Sequence, residues 1–80
     1  MLIKRSFSLS GHRTSVALEP EFWAVLEQMA AAGAHTLAAT VAQLDSARTP
    51  ADPLASRLRV AALVFALTLQ QPKSGNPADG

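Results

Sequence analysis

Three side chains in the stretch 13–18 have types and spacing suited to binding a polar surface. Side chains alternate along an extended backbone, so Arg13, Ser15 and Ala17 would share one face of a strand. Arg13 can donate two hydrogen bonds to one partner such as a guanine edge, Ser15 can donate or accept, and Ala17 can contact a methyl group. The simpler alternative is an exposed strand face that binds nothing.

The other side of the same stretch suits a protein core. Thr14, Val16 and Leu18 are apolar or β-branched and alternate with the first set. Pro20 has no N–H for a strand ladder, and its fixed φ suits the first turn of a helix. Leu18 and Trp23 have the spacing of a hydrophobic staple across the strand–helix junction. The sequence therefore predicts a strand that runs directly into a helix.

A second group of residues could contact phosphate. Thr36 is a good N-cap, and the amide groups that follow it at a helix start favour an anion. Residues 1–18 carry cations and no acid, whereas all six acids come later, although the net charge of the chain is only +1. The candidates for phosphate contact are Lys4, Arg5, His12, His35, Thr36 and Leu37. A plain helix cap and scattered surface cations explain the same residues without a ligand.

Sites for catalysis and for cofactors are not indicated. The sequence has no glycine-rich phosphate loop, no histidine pair at metal-ligand spacing and no nucleophile elbow. It has no cysteine, which excludes disulfides and thiolate metal sites. His12, His35, Asp45 and a serine are the residue types of a catalytic triad, but such residues occur together by chance in almost any chain. We therefore expect a protein that is not an enzyme and has neither metal nor cofactor.

The length of 80 residues predicts one domain with a small core. A chain of this size buries only ~60–65% of its unfolded surface, and without disulfides or metals a second subunit is the simplest remedy. No secretory signal or run of ~20 apolar residues is apparent. We therefore expect a cytoplasmic homodimer that does not span a membrane.

The pattern along the chain predicts three parts. Residues 1–12 are a basic arm or a first strand, since apolar residues and serines alternate from Ile3 to Ser10. Residues 13–70 form the domain, and residues 71–80 a disordered tail rich in turn formers. Residues 3–9 could pair with 13–18 of the same chain or extend outward, and we favour pairing of 13–18 with the same segment of a second subunit.

Three helices are expected in the domain. The first should run from about Pro20 to Ala32 and end with Gly33 in a left-handed conformation. The second should run from Thr36 to about Ser46. The third should have Asp52 as its N-cap and Pro53 at its first position, and should continue to about residue 69 or 70.

The apolar residues of these elements are the expected core of the dimer. The third helix is apolar nearly all round from Val60 onward, which predicts cover by a partner subunit. Arg57 and Arg59 are interpreted as surface cations, with an inter-subunit pair to Glu27 or Asp45 as the alternative. The expected dimer core consists of Val16, Leu18, Phe22, Trp23, Leu26, Leu37, Val41, Leu44, Leu58 and Phe65.

The sequence also resembles a known family. Residues 11–16 read Gly-His-Arg-Thr-Ser-Val, and residues 18–23 read Leu-Glu-Pro-Glu-Phe-Trp. This run resembles the signature of a bacterial ribbon-helix-helix family related to the Arc and MetJ repressors. The resemblance covers about residues 3–69 and continues through Leu26, Thr36-Leu37, Asp45, Arg48 and the segment Leu54 to Leu63.

The resemblance implies a mainly α fold with a short β-ribbon, an extra C-terminal helix and an obligate homodimer. It also implies double-stranded DNA as a partner and a role in transcription regulation, with Arg13, Ser15 and Ala17 on the face that reads bases. Ala17 departs from the long polar residues usual there, which leaves two polar readers per strand. The alternative function is an antitoxin-like or adaptor dimer that mainly binds another protein.

Overall fold

Two antiparallel strands precede three helices. The computed structural model describes residues 1–70, and the predicted tail 71–80 lies outside them. The elements are β1 (Ile3–Leu9), β2 (His12–Leu18), α1 (Pro20–Ala32), α2 (Leu37–Ala47) and α3 (Leu54–Gln70). The predicted fold class, a short β-ribbon followed by helices, is confirmed.

The strands form a hairpin within one chain. Leu9 pairs with His12 across a turn of two residues, Ser10 and Gly11, whose φ angles are +53° and +81°. Positive φ at both central positions is typical of the type I′ turn, whose twist matches that of the strands it joins. Residues 3–9 therefore form a strand, and the partner of β2 in the described chain is β1 and not a second copy of β2.

The pairing favoured from the sequence thus differs from the one observed in the chain. The two-residue turn brings β1 beside β2 at little cost in chain entropy, because the loop that it closes is so short. In the sheet of the described residues, which has only these two strands, β2 has one edge on β1 and a second edge without a strand. Pairing between subunits would have to use that second edge.

α1 spans Pro20–Ala32 as predicted, but the left-handed residue that follows it is not the one expected. Gly33 has a φ of −92°, and the left-handed residue is Ala34, with a φ of +58°. The amide of His35 donates to the carbonyl of Ala30, and the amide of Ala34 donates to the carbonyl of Ala31. This is the Schellman arrangement with Ala34 at the position where glycine is commonest. The prediction of a left-handed Gly33 was wrong by one residue.

A side-chain cap starts α2, and the hydrogen bonds of Arg48 fix the break between α2 and α3. Thr36 caps α2, since its Oγ1 accepts a hydrogen bond from the Ala39 amide at 3.0 Å. Arg48 donates from Nε to Asp45 at 2.7 Å and from Nη1 to the carbonyl of Asp52 at 2.9 Å, which fixes the break between the helices. α3 begins at Leu54, one residue later than predicted, and the Pro53 carbonyl accepts the Arg57 amide.

The core lies within the single chain. Of the residues expected at a dimer core, six are buried in one chain by packing between the hairpin and the helices: Val16, Leu18, Trp23, Leu26, Val41 and Leu58. Another four are half-buried: Phe22, Leu37, Leu44 and Phe65. These residues therefore pack within one chain, where β1 and β2 together cover the helices.

One face of α3 stays exposed. Val60, Leu63, Val64 and Leu67 are each about half accessible, at 47–56%. The single chain thus leaves open the face for which the sequence predicted a partner. In residues 1–70, none of the helices has the length and apolar character needed to cross a bilayer.

Candidate nucleic-acid interface

Six side chains of the hairpin lie on the side of the sheet away from the helices. The register pairs Lys4 with Ala17, Ser6 with Ser15 and Ser8 with Arg13, and the strands alternate strictly from there. Five of the six are exposed, and Ala17 is half-buried. We call this set, which holds two cations and no acid, the outward face: Lys4, Ser6, Ser8, Arg13, Ser15 and Ala17.

The two cations lie at opposite ends of the outward face. Lys4 is level with Ala17, and Arg13 is four residues before Ala17 on β2. At the rise of an extended strand, this separation is about 13 Å along the sheet. The two charges can therefore contact different groups of one extended ligand.

A pair of serines occupies the centre of the outward face. The Oγ atoms of Ser6 and Ser15 are 2.9 Å apart, and either can be the donor. Whichever hydroxyl donates uses its proton in the pair, so the two together offer one free O–H and several lone pairs to a ligand. The pair can thus accept and donate hydrogen bonds at one place, as the edge of a base pair requires.

Arg5 lies on the opposite side of the sheet. Its Nη1 is 2.7 Å from Glu27 Oε2, and its guanidinium lies 5.0 Å from the centre of the Trp23 ring. The Trp23 Nε1 in turn donates to the carbonyl of Ile3 at 2.7 Å. These contacts join β1 to α1 and direct Arg5 toward the helices, away from the face where Lys4 and Arg13 lie.

The other residues predicted to contact phosphate are also separate from the outward face. His12 alternates with Arg13 and so shares the side of Thr14, although it is exposed at the end of the hairpin. His35, Thr36 and Leu37 lie at the junction of α1 and α2, where the Thr36 side chain is occupied in capping the helix. Of the predicted contacts, the structure brings together Lys4, Arg13, Ser15 and Ala17.

An ion pair holds the end of β2 against α3. Arg59 Nε is 3.0 Å from Glu19 Oε1, and its guanidinium lies 5.8 Å from the centre of the Phe22 ring. The hydrogen bond from Arg59 lowers the pKa of the Glu19 carboxyl below its ordinary value. Glu19 also provides the first carbonyl of α1, to which the amides of Phe22 and Trp23 donate. The pair therefore fixes the direction in which α1 leaves the sheet.

The pairing of these ions differs from the one considered from the sequence. Within residues 1–70, Glu27 pairs with Arg5, Asp45 with Arg48 and Glu19 with Arg59. All three ion pairs found in residues 1–70 lie within the chain. The pairs Arg5–Glu27 and Arg59–Glu19 were missed because long-range pairs depend on the packing of elements, whereas Asp45 and Arg48 are only three residues apart on the sequence.

Two serines of β1 are members of the outward face that the sequence analysis did not identify. The alternation of serines at Ser6 and Ser8 was visible, but it gives no partner. The signal that could have placed them is the pair Ser10-Gly11, since a two-residue turn fixes the register of both strands. With that register, Ser6 falls opposite Ser15 and Ser8 opposite Arg13.

A family model described as the ribbon-helix-helix domain matches residues 2–65, which include the hairpin, α1, α2 and most of α3. No curated protein and no solved structure gave a significant match to the chain. Within residues 1–70 there is no cluster of three or more His, Cys, Asp or Glu that could hold a metal ion.

Proposed function

Because the chain belongs to the ribbon-helix-helix domain family, we propose that it is a dimeric DNA-binding protein and a regulator of transcription. The observation that supports this proposal most directly is the outward face, with two cations, four hydrogen-bonding or small side chains and no acid. A face of this composition suits a polyanion and suits the edges of bases. It contains no arrangement for catalysis, so the proposed role is binding.

The dimensions of the sheet favour contact of different residues of the outward face with different parts of DNA. Two copies of β2 paired through their free edges would form the centre of a four-stranded sheet with β1 on each flank. Such a sheet is about 14 Å wide, against a major groove of about 12 Å. Arg13 and Ser15 would then enter the groove, and Lys4 on the flanking strand would meet the phosphate backbone.

The contacts expected from this arrangement differ in kind. Arg13 would donate a bidentate pair of hydrogen bonds to guanine, and each such pair contributes about 1–3 kcal/mol of discrimination. Lys4 would contribute to affinity for any sequence and to its dependence on salt. Because Ala17 offers only a methyl group, we propose that base discrimination is concentrated at Arg13 and at the serine pair.

Two glutamine variants on opposite sides of the sheet test the proposal. Arg13→Gln should weaken binding to a retained genomic fragment at physiological salt by at least 10-fold, because a dimer loses two guanine contacts. Arg5→Gln removes the same charge from the side facing the helices, and it should change affinity less than 3-fold per folded molecule. Fluorescence anisotropy with labelled duplexes measures both.

The result for Arg13 decides the proposal. An Arg13→Gln protein that is folded by circular dichroism and binds as tightly as the wild type would show that the outward face does not read DNA. If the wild type retains no genomic fragment and instead co-purifies with a stoichiometric protein, the antitoxin-like or adaptor function takes its place.

A further inference from the structure

A groove lies where Met29 of α1 meets α3. Its volume is about 390 Å³, which is within the range of about 300–1,000 Å³ for pockets that bind small molecules. We call it the α3 groove, because apart from Met29 its lining comes from α3 alone: Arg57, Val60, Ala61, Val64, Phe65 and Thr68. The α3 groove therefore has the size of a site for one small ligand.

The lining of the α3 groove is apolar along its middle and polar at its two ends. The end residues Arg57 and Thr68 are eleven positions apart, which is about 16 Å along a helix. Every lining residue of α3 between them is apolar. Val60 and Val64 leave the middle open to solvent, since they are 47% and 56% exposed. A ligand that fits therefore has an elongated apolar part.

The Thr68 end of the α3 groove offers little to a charged group. The Oγ1 of Thr68 donates to the carbonyl of Val64 at 2.8 Å, so its proton is used within the helix. The hydroxyl keeps only its lone pairs, which do not attract an anion. A charged part of a ligand would therefore lie at the other end of the groove, at Arg57.

Among residues 1–70, Arg57 is a half-buried cation that no acid neutralises. The other three arginines that lie outside the outward face each form an ion pair: Arg5, Arg48 and Arg59. A guanidinium that is partly withdrawn from water and meets no carboxylate costs free energy. A ligand that brings its own carboxylate to Arg57 would remove that cost.

The Nη groups of Arg57 are the part of its guanidinium that can contact a ligand. Nε is buried without a hydrogen-bond partner in residues 1–70, so it faces the protein and cannot reach the groove. The two Nη groups are not enclosed in this way. Parallel N–H bonds from an arginine match the two oxygens of one carboxylate. This end of the α3 groove therefore favours a carboxylate over a cation or a neutral group.

We propose that the α3 groove binds a small apolar monocarboxylate, of the class of medium-chain fatty acids. The carboxylate accepts hydrogen bonds from the Nη groups of Arg57, and the hydrocarbon chain lies along Val64 and Phe65 toward Thr68. Burial of the chain and the charge-assisted hydrogen bonds both contribute to affinity. The groove contains no residue of the hairpin, so the inference goes beyond the proposed function and does not depend on it.

Octanoate is the probe for this site, and octylammonium, with a similar chain and the opposite charge, is the control ligand. Isothermal titration calorimetry of the full chain should show one octanoate bound per chain, at least about 10-fold tighter than octylammonium. In methyl NMR spectra octanoate should shift the signals of Met29, Val60 and Val64, which line the groove. Absence of saturable binding up to about 5 mM octanoate, or equal affinity for the two ligands, would overturn the proposal.

Two arginine variants of α3 test the charge. Arg57→Met keeps an apolar chain of similar reach and removes the donors, so it should weaken octanoate binding at least about 10-fold. Arg59→Met removes the same charge two residues further on, where the guanidinium pairs with Glu19, and should change the affinity less than about 3-fold. Unchanged far-UV circular dichroism shows that each chain is folded. A folded Arg57→Met protein that binds octanoate as tightly as the wild type overturns the proposal.

Two leucine variants test the shape of the α3 groove with Arg57 in place. Ala61→Leu fills part of the groove and should weaken octanoate binding about 10-fold, whereas Ala31→Leu adds the same side chain at an exposed position of α1 outside it and should not. Groove signals that shift on dilution of the protein but not with octanoate would show a contact between chains and overturn the ligand site. Because these measurements contain no DNA, loss of the ligand site leaves the proposed function intact. A chain that binds octanoate but no DNA supports the site and overturns the proposed function.

Discussion

The backbone at Ala34 has a conformation that glycine adopts more readily than any other residue. Its φ is +58°, in the left-handed region, where a Cβ is close to the following carbonyl at a cost of roughly 1–2 kcal/mol. Ala34→Gly removes that repulsion but gives the unfolded chain more freedom. We expect a net gain of about 0.5–1 kcal/mol in the free energy of unfolding, measured by urea denaturation.

A glycine inside the same helix is the matched control. Ala31 is exposed within α1 and has helical geometry, so Ala31→Gly should lower the free energy of unfolding by about 1 kcal/mol. Equal losses in the two variants would mean that Ala34 is not in a left-handed conformation in solution.

The end of α1 also shows which features of a helix end can be predicted from single residues. Gly33 and Ala34 are neighbours, and preference alone assigns the left-handed position to the glycine. The structure assigns it to Ala34 because the amide of His35 bonds to the carbonyl of Ala30, and that choice depends on where the chain must go next. By contrast, Thr36 caps α2 as predicted, since a cap is formed by contacts that are local in sequence.

At the scale of elements, the ion pair of Glu19 and Arg59 links the sheet to α3 and should make stability depend on pH. Because the pKa of Glu19 is lowered in the folded chain, its contribution is complete above the unfolded pKa of about 4.3 and is lost as the pH falls through the folded value. Glu19→Gln should therefore be less stable than the wild type at pH 7, and this difference should shrink below about pH 4. Urea denaturation between pH 2.5 and pH 7 measures it.

Glu21 provides the control for this pair. It lies in the first turn of α1 and belongs to none of the ion pairs of residues 1–70. Glu21→Gln should show a smaller loss at pH 7. A Glu19→Gln protein whose deficit is the same at every pH would indicate that the carboxylate is not paired with Arg59.

The elements themselves were largely predictable, and their partners were not. The ranges of α1 and α2 follow from Pro20, Thr36 and the apolar spacing, all of which act over a few residues. The pairing of β1 with β2 and the opposite directions of Arg5 and Arg13 depend on the turn at Ser10-Gly11. Ser6 and Ser8 of the outward face therefore became visible only with the register.

The whole molecule combines a core enclosed by one chain with an apolar helix face that the chain does not cover. The proposed dimer would stabilise the folded state by mass action, so the unfolding temperature should rise with protein concentration. We expect an increase of several degrees between 1 and 100 µM for the wild type, measured by calorimetry.

If the wild type shows no such dependence, the folded chain is stable without a second copy and the proposed dimer is wrong.

The Ser10-Gly11 turn restricts where residues can be inserted into or deleted from this chain. Successive residues of a strand point to opposite sides, so one codon gained or lost in β1 next to the turn would turn the rest of that strand over. Phe7 would move into solvent, and the serines that face outward would be buried against the helices. Changes of one residue in length should therefore be excluded from the paired strands between residues 3 and 18.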